Sequence, residues 1–111
     1  MHDDKAEVWQ GTLALMILKT LETMGSLHGY GLATQIEGMS DETLRVEEGS
    51  LYPALHRLEE AGWIKARWTT TDTGRRARVY EVTPAGRKQL ESEEVRWKAI
   101  TAAVGKILKL A

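Results

Sequence analysis

Ser50, Pro53, His56, Arg57 and Glu60 recur at a spacing that gathers them on one side of an α-helix, with Tyr52 on the border. That side presents hydroxyl, imidazole and guanidinium donors, groups able to hydrogen-bond to base edges and to anionic oxygens. A second donor set follows. Between Ile64 and Tyr80, Lys65, Arg67, Arg75, Arg76 and Arg78 meet only Asp72, whereas between Glu37 and Glu48 five carboxylates meet only Arg45. The net charge is −1, yet the chain is polarised, with one basic edge.

Other chemistry finds little support. No Ser-His-Asp set, Walker loop or dinucleotide fingerprint is legible, so catalysis is the least expected class. His56 with Glu59 or Glu60 lacks a second histidine nearby, so no metal and no cofactor are expected. His28 beside Gly29 reads as a helix entrance. Cysteine is absent, which excludes disulfides, thiolate sites and a cysteine nucleophile, and suits a reducing cytoplasm. The start MHDDKAEVWQ has neither the basic residues nor the apolar run of a signal peptide, and no run approaches the ~18 apolar residues of a membrane span. A soluble cytoplasmic protein with no membrane partner is expected.

The elements that must position the donors follow from periodicity. At 111 residues and 42% hydrophobic content the chain is one domain with a modest core. Residues 1–7 are polar and expected to fray. From about Gly11 to Met24, Leu13, Met16, Ile17, Leu21 and Met24 form one apolar helical face, while Leu15 and Leu18 lie nearly opposite. A helix apolar on two sides needs two partners, and Leu15 and Leu18 are assigned to contact with another helix or another chain. A short second helix turns Leu32, Ala33 and Ile36 inward, and Leu44 with Val46 suggests a brief strand. In the third helix Leu51, Leu55 and Leu58 make the core stripe, Ser50 or Gly49 suits the N-cap, Pro53 falls in the first turn, and Gly62 ends the helix. Ile64, Ala66 and Trp68 alternate with Lys65 and Arg67, TTDTG turns the chain, and RRARVYEV returns as the second strand of a hairpin with a basic tip. Thr83 and Pro84 then open a helix of roughly 26 residues. Leu90, Trp97 and Val104 repeat every seven residues, with Ile100 and Ile107 three after two of them, as in a paired-helix seam. Glu93 spoils the first inner position, which leaves room beside Trp97. Trp9, ahead of the first helical face, is expected to line the same gap, and the two indoles to take a flat aromatic ligand.

This order of elements is a mainly α winged helix-turn-helix with a small β-wing (residues 8–83), followed by a long dimerisation helix (residues 84–110). Four segments carry a closer likeness: GTLALMILKTL at 11–21, HGYGLATQI at 28–36, EGSLYPALHRLEEAGWI at 48–64 and GRRARVYEVTPAGRKQL at 74–90. In these the chain resembles the PadR family of transcriptional regulators, in its short form with a single C-terminal helix. The resemblance implies a homodimeric bacterial repressor that binds a near-palindromic double-stranded DNA operator and is released by a small aromatic or drug-like compound. It implies DNA contacts from Tyr30, Ser50, Tyr52, Pro53 and Arg57 on the helices and from Arg75, Arg76 and Arg78 on the wing. The alternative is a winged helix that binds only protein, since fold alone does not separate the two. Three arginines beside a hydroxyl-bearing helix favour DNA.

Overall fold

The computed structural model describes residues 4–110, with side chains from residue 11 onward. Its elements in order are α1 (Asp4–Met24), β1 (Leu27–His28), α2 (Gly29–Met39), α3 (Glu48–Glu60), β2 (Ile64–Thr70), β3 (Arg76–Val82) and α4 (Pro84–Leu108). The three strands form one antiparallel sheet in the order β1-β3-β2. The mainly helical winged architecture is as expected. Trp9 belongs to α1, but its side chain lies outside the described residues, as does any contact it makes.

α1 is the element the others pack around, meeting α2, α3, α4 and β3. Its Leu13, Ile17 and Leu21 are buried with Leu32 and Ile36 of α2 and with Leu51, Leu55 and Leu58 of α3. Burying each such side chain stabilises the fold by ~1.5 to 3 kcal/mol before the entropy of ordering is set against it. Thr20 joins this core because its hydroxyl donates to the Met16 carbonyl at 2.6 Å, which satisfies a polar group that burial alone would penalise.

Several expectations are corrected. The helix starts at Asp4, ahead of the expected start near Gly11. Leu18 and Leu90 are not interface residues: they are 1% and 0% exposed within a single chain. The second apolar side of α1 meets helix α4 of its own subunit, whose first turns dock on the core before the helix projects away. The brief strand lies at Leu27–His28, pairing with Tyr80 and Val79, and none forms at Leu44–Val46. There the Val46 N–H donates to the Glu37 carboxylate at 2.8 Å, so a side chain supplies the partner that a sheet would have supplied. α3 starts earlier than expected. Glu47 is its N-cap, with no side-chain capping bond, and Pro53 falls in the second turn. A proline there deprives the Gly49 carbonyl of its helical donor.

The remaining boundaries follow local chemistry. Gly62, at φ +79°, closes α3: its N–H reaches the Glu59 carbonyl and the Trp63 N–H reaches that of Leu58, both at 3.0 Å. Thr83 caps α4 by accepting from the Gly86 N–H at 3.0 Å, with Pro84 at the first helical position. α4 has 25 residues and is about 37 Å long at 1.5 Å per residue, against a smallest molecular extent of 28 Å. Its far half therefore leaves the core, and Val95, Trp97, Ile100, Val104 and Ile107 are all exposed.

Candidate nucleic-acid interface

Because Leu51, Ala54, Leu55 and Leu58 are drawn into the core, α3 turns Tyr52, Pro53, His56 and Arg57 outward. Ser50 is half-buried in the first turn, its N–H donating to the Glu47 carbonyl at 3.0 Å. His56 lies 2.9 Å from Glu60 across one helical turn on the open face. Tyr30 is 80% exposed at the start of α2, and Tyr52 packs on the backbone of Gly29 next to it. The two tyrosines thereby line one hollow of about 510 Å³ together with Thr34, Glu37, Glu47 and Glu48. Glu47 and Glu48 at the head of α3 carry no sequence motif that marks them, yet carboxylates there can accept from exocyclic amino groups of bases.

The wing is a hairpin in continuous register from Ile64↔Val82 to Thr70↔Arg76. Its tip is closed by the Thr71 N–H donating to the Arg75 carbonyl at 2.8 Å and by Gly74 at φ +81°. The Thr71 hydroxyl oxygen accepts from the Arg75 N–H at 3.2 Å, so the loop is tied from both sides. Arg75 and Arg76 are exposed on this tip. Arg78 departs from the expectation of a free DNA-facing cation. Its Nη2 donates to the Glu59 carboxylate of α3 at 3.0 Å, and its guanidinium lies 5.7 Å from the ring centres of both Trp68 and Tyr80. The sequence offers no signal for this pairing, since Glu59 and Arg78 sit on different elements. Burial of Tyr80 raises its phenol above the usual tyrosine range, more than the neighbouring Arg78 charge lowers it.

At the other end of the molecule, Leu15 is half-buried and lines a groove of about 320 Å³ with Glu93, Arg96, Trp97 and Ile100. Glu93 is held by the Gln89 side-chain amide at 2.8 Å, and Lys19 bridges α1 to Glu94 of α4 at 3.3 Å. The groove is open to solvent on one side, where Trp97 and Ile100 are exposed. Among the described residues no cluster of three histidine, aspartate or glutamate side chains is placed to hold a metal. Among the described residues no helix is long and apolar enough to cross a membrane.

Comparison with known proteins agrees with this geometry. Residues 17–92 match the model of the transcriptional regulator PadR-like family. A transcriptional regulator of Mycobacterium tuberculosis is 42% identical over 67 residues, 60% of this chain; the matched region spans 59% of that relative's length. The structure of a transcriptional regulator from Clostridium thermocellum superposes with a TM-score of 0.81 at 30% identity, covering 90% of this chain and 96% of the other. A PadR family regulator from Clostridium difficile superposes with a TM-score of 0.74 at 26% identity, over 86% of this chain and 97% of the other. All three relatives are transcriptional regulators. The chain belongs to the PadR-like family of transcriptional regulators.

Proposed function

We propose that this regulator binds double-stranded DNA as a homodimer, with α3 in the major groove and the wing on the flanking backbone or minor groove. The observation that carries the reading is the bond from Arg78 to Glu59, which seats the basic wing beside the outward face of α3. Tyr52, Pro53 and Arg57, with Ser50 and Tyr30 at the helix entrances, meet base edges, while Arg75 and Arg76 neutralise phosphate. Residues 8–83 form the DNA-reading unit and residues 84–110 the pairing helix. Two copies related by a twofold axis present two such units to a near-palindromic operator, and occupancy of a promoter represses it. A protein-docking role has less to recommend it, since a docking surface has no general need for exposed arginines at a hairpin tip.

The two donor sets predict mutants that differ in kind. Arg57→Ala relaxes preference at one base position per half-site, losing ~1 to 3 kcal/mol there for a bidentate contact. Arg75→Ala weakens all sequences alike. Equal loss on every sequence for Arg57→Ala would sink the base-reading role of α3.

The groove at Trp97 supports a small aromatic effector that releases the protein from DNA. An exposed indole flanked by Glu93 suits a flat ligand, with offset stacking contributing ~0.5 to 1.5 kcal/mol beyond area burial. Such a ligand regulates only by preferring one spacing of the two α3 helices over another. Tryptophan fluorescence of wild type and Trp97→Ala, titrated with planar aromatic cations and phenolic acids, tests this. Quenching that is the same in both proteins rules the site out.

A further inference from the structure

Trp68 has no place in the core. Ile64, Ala66 and Trp68 share one face of β2, but exposure climbs along it from 2% at Ile64 to 57% at Trp68. A large indole left in water on an edge strand calls for another explanation. Its cross-strand partner is Arg78, and Arg76 is the diagonal neighbour two residues along the same face. Both guanidiniums lie over its ring, Arg76 at 4.8 Å and Arg78 at 5.7 Å from the centre. The two arginines differ in every other respect. Arg78 is bonded to Glu59, also lies over Tyr80, and has its Nε buried with no hydrogen-bond partner. Although 40% of its side chain stays exposed, its Nη2 is committed to Glu59 and its Nε is shut away, which leaves it fewer donors for a phosphate than Arg76 has. Arg76 is exposed and, among the described residues, pairs with no carboxylate.

We propose that Trp68 is a positioning residue that divides the wing arginines by task. One part of its ring seats Arg78 on Glu59, tying the wing to α3; another steadies Arg76 as the cation offered to DNA phosphate. The second half of this proposal rests on the DNA-binding reading above. Cation–π contact holds a guanidinium in place without neutralising it, which an ion pair would not do.

The test combines salt-dependent DNA binding with an arm that needs no DNA. Arg76→Met flattens the log–log salt slope by ~0.9, the loss of one phosphate contact, whereas Arg78→Met leaves the slope unchanged. Trp68→Leu weakens binding about three- to tenfold, and Trp68→Phe, which keeps an aromatic face, recovers most of it. An Arg78→Met slope that falls as far as that of Arg76→Met, or a leucine variant as good as the phenylalanine one, overturns the division of labour. In thermal unfolding, the Tm losses of Trp68→Leu and Glu59→Gln combine to less than their sum in the double variant. Additive losses overturn the clamp. Wild-type protein that binds no DNA sinks the proposed function, and the unfolding cycle still decides the clamp.

Discussion

The phenol of Tyr52 on α3 lies against the backbone of Gly29 at the head of α2, so that a Cβ on residue 29 would stand 2.9 Å from the hydroxyl oxygen. The contact joins the two helices of the helix-turn-helix through the outer end of a ring that is 45% exposed and can turn toward solvent. Gly29→Ala is therefore expected to cost less than about 1 kcal/mol, because the Tyr52 ring can shift to make room. In a Tyr52→Ala background the clash is gone, and the same change becomes neutral or favourable because alanine is the better helix former. Urea denaturation of the four proteins checks this; an equal cost in both backgrounds would show that Tyr52 is not what fills the space.

Gly86 makes a harder contact. A Cβ there would lie 2.0 Å from the Trp63 carbonyl oxygen, which already accepts from the Thr83 N–H at 3.0 Å. A backbone oxygen held in that way cannot rotate aside as a side chain can. Gly86→Ala is expected to cost ~3 kcal/mol or more, and to shift the start of α4 if the chain folds at all. Denaturation midpoints within the error of wild type would contradict the packing at this junction.

What was legible in the sequence was whatever depends on neighbours in the chain. The stripe Leu51, Leu55 and Leu58, the Thr83–Pro84 helix start and the hairpin with its basic tip all follow from local spacing. Contacts between distant segments were not legible. β1 is two residues long and exists only because β3 offers it a free edge, so Leu27–His28 carries no pattern of its own. Leu44 and Val46 did carry a strand pattern, but the Glu37 carboxylate claimed the Val46 N–H first. Leu90 fits a seven-residue repeat, yet it lies on the part of α4 that docks against its own subunit, where an intramolecular core uses the same spacing as a dimer seam. For the interface, the exposed positions Tyr52, Pro53 and Arg57 were readable from periodicity; the tethering of Arg78 by Glu59 and Trp68 was not.

Removal of Leu18 and Leu90 from the seam leaves Trp97, Ile100, Val104 and Ile107 on the projecting half of α4, with Leu15 beside them. A second copy of the same surface is the partner proposed above. Ile100→Asp with Ile107→Asp is expected to yield monomers with the winged unit intact, since both residues lie outside the core. Sedimentation velocity gives the mass and circular dichroism the fold. A dimer that survives both aspartates places the interface elsewhere.

Alkaline pH is expected to lower the stability of the fold through two groups. The hydrogen bond and charge of Glu94, helped by Glu22, raise the Lys19 ammonium above its ordinary value of 10.5, and burial raises the Tyr80 phenol above 10.0. Both groups hold their protons more tightly folded than unfolded, so their contribution is complete below about pH 10 and is lost as the pH rises through the folded values. The Tm should therefore fall above about pH 10, and less steeply in Lys19→Met. An identical fall in that variant would mean that the bridge to Glu94 contributes nothing, as some exposed ion pairs do.

If α3 and the wing together read DNA sequence, fluorescence anisotropy will show it. Labelled DNA from upstream of the protein's own gene is compared with a scrambled duplex of equal length and composition, over a range of salt concentrations. Saturable binding to the upstream DNA is expected, at least about a thousandfold tighter than to the scrambled duplex. Log affinity is expected to fall linearly with log salt, with a slope of ~0.9 per phosphate contacted. Affinity that is the same for both duplexes, or that does not change with salt, would contradict that reading.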